Sequence, residues 1–149
     1  MKTNLTLTSL MFTIAFLAVA QQPTKPMRVF TPEEVMREQP AHVVTVVFRV
    51  AEAYGISGAV TVGAEPSFGL APLAARDASQ RFSVLIAGQL VKDAKRFGIE
   101  PLNPGPFFTG REVKVTGVVQ KFPTPQNNPA AKPSFSMTIT NLENFRLIK

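Results

Sequence analysis

No cysteine occurs anywhere in the 149 residues. That excludes disulfides, thiolate metal sites, cysteine nucleophiles and a cysteine-linked lipid anchor, and leaves apolar burial and backbone hydrogen bonding to hold any fold together. Histidine is nearly missing too. His42 stands alone, and a single imidazole does not make a metal site, which takes three or four ligands. The carboxylates Glu52, Glu65, Asp77, Asp93, Glu100, Glu112 and Glu143 are scattered and mostly lie beside basic residues, the pattern of a solvated surface. There is no glycine-rich phosphate loop, no serine-nucleophile motif and no internal repeat. The chain is therefore expected to be non-enzymatic, with no catalytic residue, cofactor or metal to assign.

A membrane-spanning run is also wanting. The stretch from Leu10 to Ala20 is apolar except for Thr13, but it is shorter than the ~20 residues a span requires. Lys2 is the only charge before Lys25, and the stretch ends in Ala18-Val19-Ala20 before turning polar at Gln21-Gln22. A charged start, a short apolar core and a small-x-small exit describe a secretory signal over residues 1–20. An uncleaved N-terminal anchor is the alternative. The expected compartment is outside the cytoplasm, periplasmic or secreted, with no stable membrane insertion once the signal is removed.

What remains is enough for one domain and too little for two ordinary ones. Hydrophobic residues make up 45% of the chain, so a real core is possible. Losing Lys2 with the leader leaves fifteen basic and ten acidic residues. A net charge of +5 suits an anionic partner, and suits simple solubility equally well.

Residues 21–41 read as a linker and a short helix. Thr31 is placed as N-cap, Pro32 opens the helix, Glu34 completes a capping box, and Phe30 with Val35 forms a hydrophobic staple. Pro40 ends it. From His42 the period becomes two: Val44, Val46, Phe48 and Val50 share one face, Val43, Thr45, Val47, Arg49 and Ala51 the other. Tyr54-Gly55-Ile56-Ser57-Gly58 reads as a turn, residues 59–62 as a short second strand, and residues 63–80 as a long irregular connection. Phe82, Val84 and Ile86 mark a third strand. Leu90, Ala94 and Phe97 fall at helical spacing, with Gly98 as the stop. Residues 99–109, with three prolines, form a stiff connector. A fourth strand carries Val113, Val115 and Val119 on one face, with Gly117 marking strong coiling or a bulge. A Pro- and Asn-rich loop, 123–133, leads to a fifth strand with Phe135, Met137 and Ile139 inward. A turn at Asn141 to Asn144 precedes a final strand segment.

Three strands, a short helix and two more strands is the order of an OB-fold barrel. Phe107-Phe108-Thr109-Gly110-Arg111-Glu112-Val113-Lys114-Val115-Thr116-Gly117-Val118-Val119 resembles the Tyr-x-Gly-Lys-x-Val-x-Val-x-Gly-x-Val segment that opens the fourth strand of many nucleic-acid-type OB domains, with Arg111 in place of the usual lysine. The resemblance covers residues 42–149 and implies a mainly β, five-stranded barrel with the helix between strands three and four plugging one end. It also implies a ligand lying across strands two and three. Arg49, Arg81 and Lys114 are in polar-face phase and Lys121 flanks the last loop, so these four, with Phe68 in a connection, are the ligand-contact candidates. Phe48, Phe82, Phe135 and Tyr54 fall in core phase. The function this suggests is a binding module for single-stranded nucleic acid or another anionic polymer such as a polysaccharide. The alternative is a protein–protein interaction or structural module of the cell envelope. Convergence of the basic residues on one face would favour the polymer. A contiguous apolar patch around Phe68 or Phe107 would favour a protein partner.

Overall fold

A computed structural model of the protein describes residues 28–57, 66–73, 81–124 and 126–148. The leader expected at 1–20 and the strand expected at 59–62 lie outside the described residues.

The chain enters through β1 (Val29–Phe30), which pairs in parallel with β2 (Val43–Arg49). Between them runs α1 (Pro32–Glu38), capped as its sequence dictates. The Thr31 amide donates to Glu34 Oε2 at 2.9 Å, and the Glu34 amide donates to Thr31 Oγ1 at 3.3 Å. Phe30 and Val35 both enter the core. On the outside, Arg28 donates to both Glu38 oxygens at 2.9 Å and to Glu34 at 3.1 Å. The Thr31 amide first, and Arg28 second, hold the Glu34 carboxyl below its ordinary value of 4.5. Arg28, with Arg37 behind it, does the same for Glu38. A carboxylate whose folded pKa is depressed contributes stability above its unfolded pKa and loses it as pH falls through the folded value. The thermal midpoint is therefore expected to fall as pH drops below about 4.5. Glu34→Gln, which cannot ionise, should flatten that acid limb, whereas Thr31→Ala keeps the donating amide and should cost about 1 kcal/mol at neutral pH with the limb retained, which a set of melts between pH 3 and 7 would show.

At Val50 the chain changes partner. Its amide donates to Arg111 O at 2.8 Å and its carbonyl accepts from the Gly110 amide at 2.7 Å, whereas the Ala51 amide donates to Ala71 O at 2.9 Å. The strand continues as β3 (Glu52–Ile56), paired antiparallel with β4 (Ser67–Ala71). Next come β5 (Arg81–Ile86), α2 (Gln89–Arg96), the short α3 (Gly105–Phe108), the long β6 (Glu112–Phe122) and β7 (Ser134–Ile139). A 3-10 turn at Leu142–Asn144 and β8 (Phe145–Leu147) finish the described chain. The hydrogen-bonded order is β1-β2-β6-β7-β5-β4-β3, with β8 on β6. β5 and β7 are parallel, and every other pair except β1–β2 is antiparallel.

The result is mainly β, but it is an open mixed sheet of eight strands where the sequence suggested a closed barrel of five. Two of the strands beyond those five are short: β1, at the edge of β2, and β8, the final segment expected after Asn144, on β6. A third arises because the first expected strand runs on past Val50, so that Tyr54, Gly55 and Ile56 belong to β3 and form no turn. The supposed irregular connection contains β4, in which Phe68 and Leu70 alternate inward. Proline on both sides of that short strand, Pro66 and Pro72, and glycine within it hide its period of two. No bulge occurs at Gly117. The register from Val43↔Val118 to Arg49↔Glu112 is continuous, and a Cβ at Gly117 would come within 3.3 Å of Met137 Cε. The glycine makes room for the core.

That core runs from Val35 of α1, through Val44, Val46, Phe48, Val84, Val113, Val115, Phe135 and Met137, to Leu90 and Val91 of α2. α1 and α2 each bury one apolar face in it.

Candidate functional site

The strand phases decide what the outer surface offers. Inward positions of β4 and β5 are Phe68, Leu70, Phe82, Val84 and Ile86, all buried. That leaves Ser67, Gly69 and Ala71 of β4, and Arg81, Ser83 and Leu85 of β5, on the other face. β3 adds Glu52 opposite Ala71 and Tyr54 opposite Gly69, and β7 adds Ser134 opposite Arg81. Together Glu52, Tyr54, Arg81, Ser83 and Ser134 line a cleft of about 430 Å³, closed on one side by Glu33 and Met36 of α1.

Tyr54 is the main feature of this cleft. The sequence phase assigned it to the core, yet it is 38% exposed. Its ring lies over Gly69, where an added Cβ would meet Tyr54 Oη at 2.6 Å. One side of the ring is thus seated on the sheet, and Arg81 is in the same cleft. The sequence signal for this was present but split, since Tyr54 and Gly69 are fifteen positions apart and meet only through the β3–β4 register. Phe122, expected in a loop, is the last residue of β6. It sits opposite Ser134, two strands from Arg81 in the same row, and is 48% exposed.

The sequence-derived candidates do not converge. Phe68 is not a surface residue at all: it is 1% exposed and stacks on Phe108 at 5.4 Å between ring centroids. Its place in β4, which sequence reading treated as loop, sends it inward. Arg81 is exposed in the cleft. Arg49 and Lys114 occupy a different surface, the outer face of β2 and β6, where Arg49 is opposite Glu112 and Lys114 opposite Val47. Lys121 lies at the α1 end, its Nζ donating to Gln39 Oε1 at 3.1 Å and resting 6.0 Å from the Phe135 ring centre. Arg146, which sequence reading passed over, joins Lys114 through the β6–β8 pairing. His42 is exposed just before β2.

A second concavity, of about 400 Å³, lies between α2, α3 and β8 and is almost wholly apolar. Phe97, Phe107, Leu142, Phe145 and Leu147 line it, and Phe97 is 74% exposed. No helix among the described residues is long and apolar enough to cross a membrane.

No protein-family model matches the chain, and no curated protein matches it. Among solved structures, a chain described as an aspartyl-tRNA synthetase from Leishmania major Friedlin is similar at a TM-score of 0.50 and 14% identity, over 88% of this chain and 22% of that one. The aspartyl-tRNA synthetase from Entamoeba histolytica gives 0.47 and 13%, over 87% and 23%. Plasmodium falciparum SSB in complex with ssDNA gives 0.41 and 14%, over 71% and 91%. This chain thus spans under a quarter of the length of either synthetase. The likeness is one of fold, and the fold is OB-like.

Proposed function

We propose that this protein is an exported, non-catalytic OB-type module that binds single-stranded nucleic acid across the outer face of β4 and β5. The observation that carries the reading is Tyr54 seated on Gly69 in one cleft with Arg81. OB sheets take oligonucleotides and oligosaccharides on the face made by their second and third strands, and β4 and β5 hold those places in the order of pairing. Sequence-tolerant single-strand binding needs an aromatic surface for a base and a cation for the backbone. Tyr54 supplies the first and Arg81 the second. Ser83 and Ser134 add hydroxyls to the same cleft.

Fluorescence anisotropy of the exported protein with labelled single-stranded DNA and RNA, across a salt series, tests this. Micromolar binding is expected, weakened by Tyr54→Ala roughly five- to a hundredfold, the worth of one stacked base. Tyr54→Phe should restore it, and Arg81→Ala should reduce the salt slope by about 0.7. Binding that is absent at low salt, or that ignores both positions, overturns the proposal. A protein-partner reading rests on one observation, the apolar groove at Phe97. It becomes the better account if oligonucleotides fail and Phe97→Asp abolishes self-association or capture of a purified partner.

A further inference from the structure

We propose that the outer face of β2, β6 and β8 is a separate site for tetrahedral oxyanions, phosphate or sulfate, borne on an extended polymer. It takes up Arg49 and Lys114, which the cleft leaves unused, and stands or falls apart from it.

Register places the cations. Val47 of β2, Lys114 of β6 and Arg146 of β8 form one row across three strands, and Arg49 sits one diagonal step from Lys114. Side chains directly opposite in an antiparallel pair are about 5 Å apart at Cβ, and diagonal neighbours about 7–8 Å. Lys114 and Arg146 are therefore like charges held face to face, an arrangement that opposes folding. Two carboxylates are close, Glu143 at the same hollow and Glu112 on the same strand face, but among the described residues neither forms an ion pair with Lys114 or Arg146. Among the described residues, ion pairs gather around Arg28, Glu34, Glu38 and Arg37, and again at Asp93 and Arg96, while Arg49, Lys114 and Arg146 have none. Even Glu112, opposite Arg49 in register, makes no ion pair with it.

Beside the row is a hollow of about 270 Å³ that Lys114, Arg146, Thr116 and Asn144 line, with Glu143 at its side. Thr116 Oγ1 is hydrogen-bonded to Thr45 Oγ1 at 2.9 Å, which fixes its hydroxyl at the floor. Two cations, a hydroxyl and an amide suit a tetrahedral oxyanion, and Arg49 extends the track to a neighbouring one. Phe145 also borders the hollow, but it is half-buried and its ring packs edge-on against Phe108 at 6.0 Å, so the outer row offers no ring on which a base could stack and charge selects the ligand.

Probes without bases separate this site from the cleft: a linear inorganic polyphosphate and a fully sulfated oligosaccharide, each titrated into the exported protein at low salt. At least one should bind, and which one does so names the oxyanion's source. The double variant Lys114→Ser/Arg146→Ser should lose roughly tenfold in affinity with a shallower salt slope. Tyr54→Ala/Arg81→Ala should stay within about twofold of the parent, because no stacking is involved. Arg146→Glu gives a second readout. It puts opposite charges across the strand pair, so the thermal midpoint at low salt should rise by about 1–3 °C while oxyanion binding is lost. Failure of both probes, equal loss in both double variants, unchanged binding without Lys114 and Arg146, or a lower midpoint in Arg146→Glu overturns the proposal.

Discussion

Phe68→Ala is expected to destabilise the protein by about 3–5 kcal/mol, the range for truncating a buried phenylalanine. Phe68 is 1% exposed, stacks on Phe108, and stands opposite Ile86 in the β4–β5 ladder. Its removal opens a void between the sheet and the α3 segment. That void cannot collapse, because β4 is held by β3 on one side and β5 on the other. Against a typical total of about 5–15 kcal/mol, the loss is a large share of the stability. In a denaturant titration the midpoint should drop with little change in slope. Phe68→Leu, which keeps most of the volume, should lose less. Below the midpoint, oligonucleotide affinity should match the parent, since Phe68 faces away from the Tyr54 cleft. A variant that melts normally but no longer binds would return Phe68 to the surface role its sequence neighbourhood suggested.

Two glycines in facing strands should respond in opposite ways. At Gly55, an added Cβ would fall 2.5 Å from Leu102 Cα and O and 2.7 Å from its carbonyl carbon. Those are backbone atoms in a turn anchored by the Asn103 amide on Glu100 O at 3.0 Å and by buried Ile99. Neither partner can swing away, so Gly55→Ala must separate β3 from that turn. A loss at the upper end of the 1–3 kcal/mol range for overpacking, or beyond it, is expected. At Gly69 the obstacle is the far end of the Tyr54 ring, which can rotate outward. Gly69→Ala should therefore change stability by less than about 1 kcal/mol, since alanine recovers the strand entropy that glycine loses. Its effect should fall on binding: with Tyr54 lifted off the sheet, oligonucleotide affinity should fall as it does in Tyr54→Ala. Paired melts and anisotropy titrations of the two variants would separate a packing glycine from a ligand-platform glycine. Equal stability losses at both positions would show that Tyr54 is fixed by packing and not free to move.

Much of the architecture was legible because it rests on local rules. The capping box at Thr31 and Glu34 states where α1 begins, and Pro40 where it cannot continue. Alternation in β2, β5, β6 and β7 marks inward residues that the structure buries, with Val46, Val84, Val113 and Met137 at 0% exposure. The stop at Gly98, with its φ of 77°, follows from the freedom of glycine in left-handed backbone.

The candidate sites were only partly legible, for a different reason. Whether Tyr54 points inward depends on where the first strand bends, and that bend is set by Val50 exchanging hydrogen bonds with Gly110 and Arg111 sixty residues away. A one-residue change of phase moves a side chain to the opposite face, which is why Tyr54 emerged, while Phe68 was buried because the segment expected to be a connection is strand β4. Likewise Arg49, Lys114 and Arg146 share a surface only because β2, β6 and β8 are hydrogen-bonded in that order. By itself, the sequence determined the helix caps, the alternation of the long strands and the chemistry that no cysteine and one histidine leave out. Only the tertiary structure decided the partner switch at Val50, the seat of Tyr54 on Gly69 and the sorting of the basic residues onto separate faces, because each depends on strand pairing between distant segments.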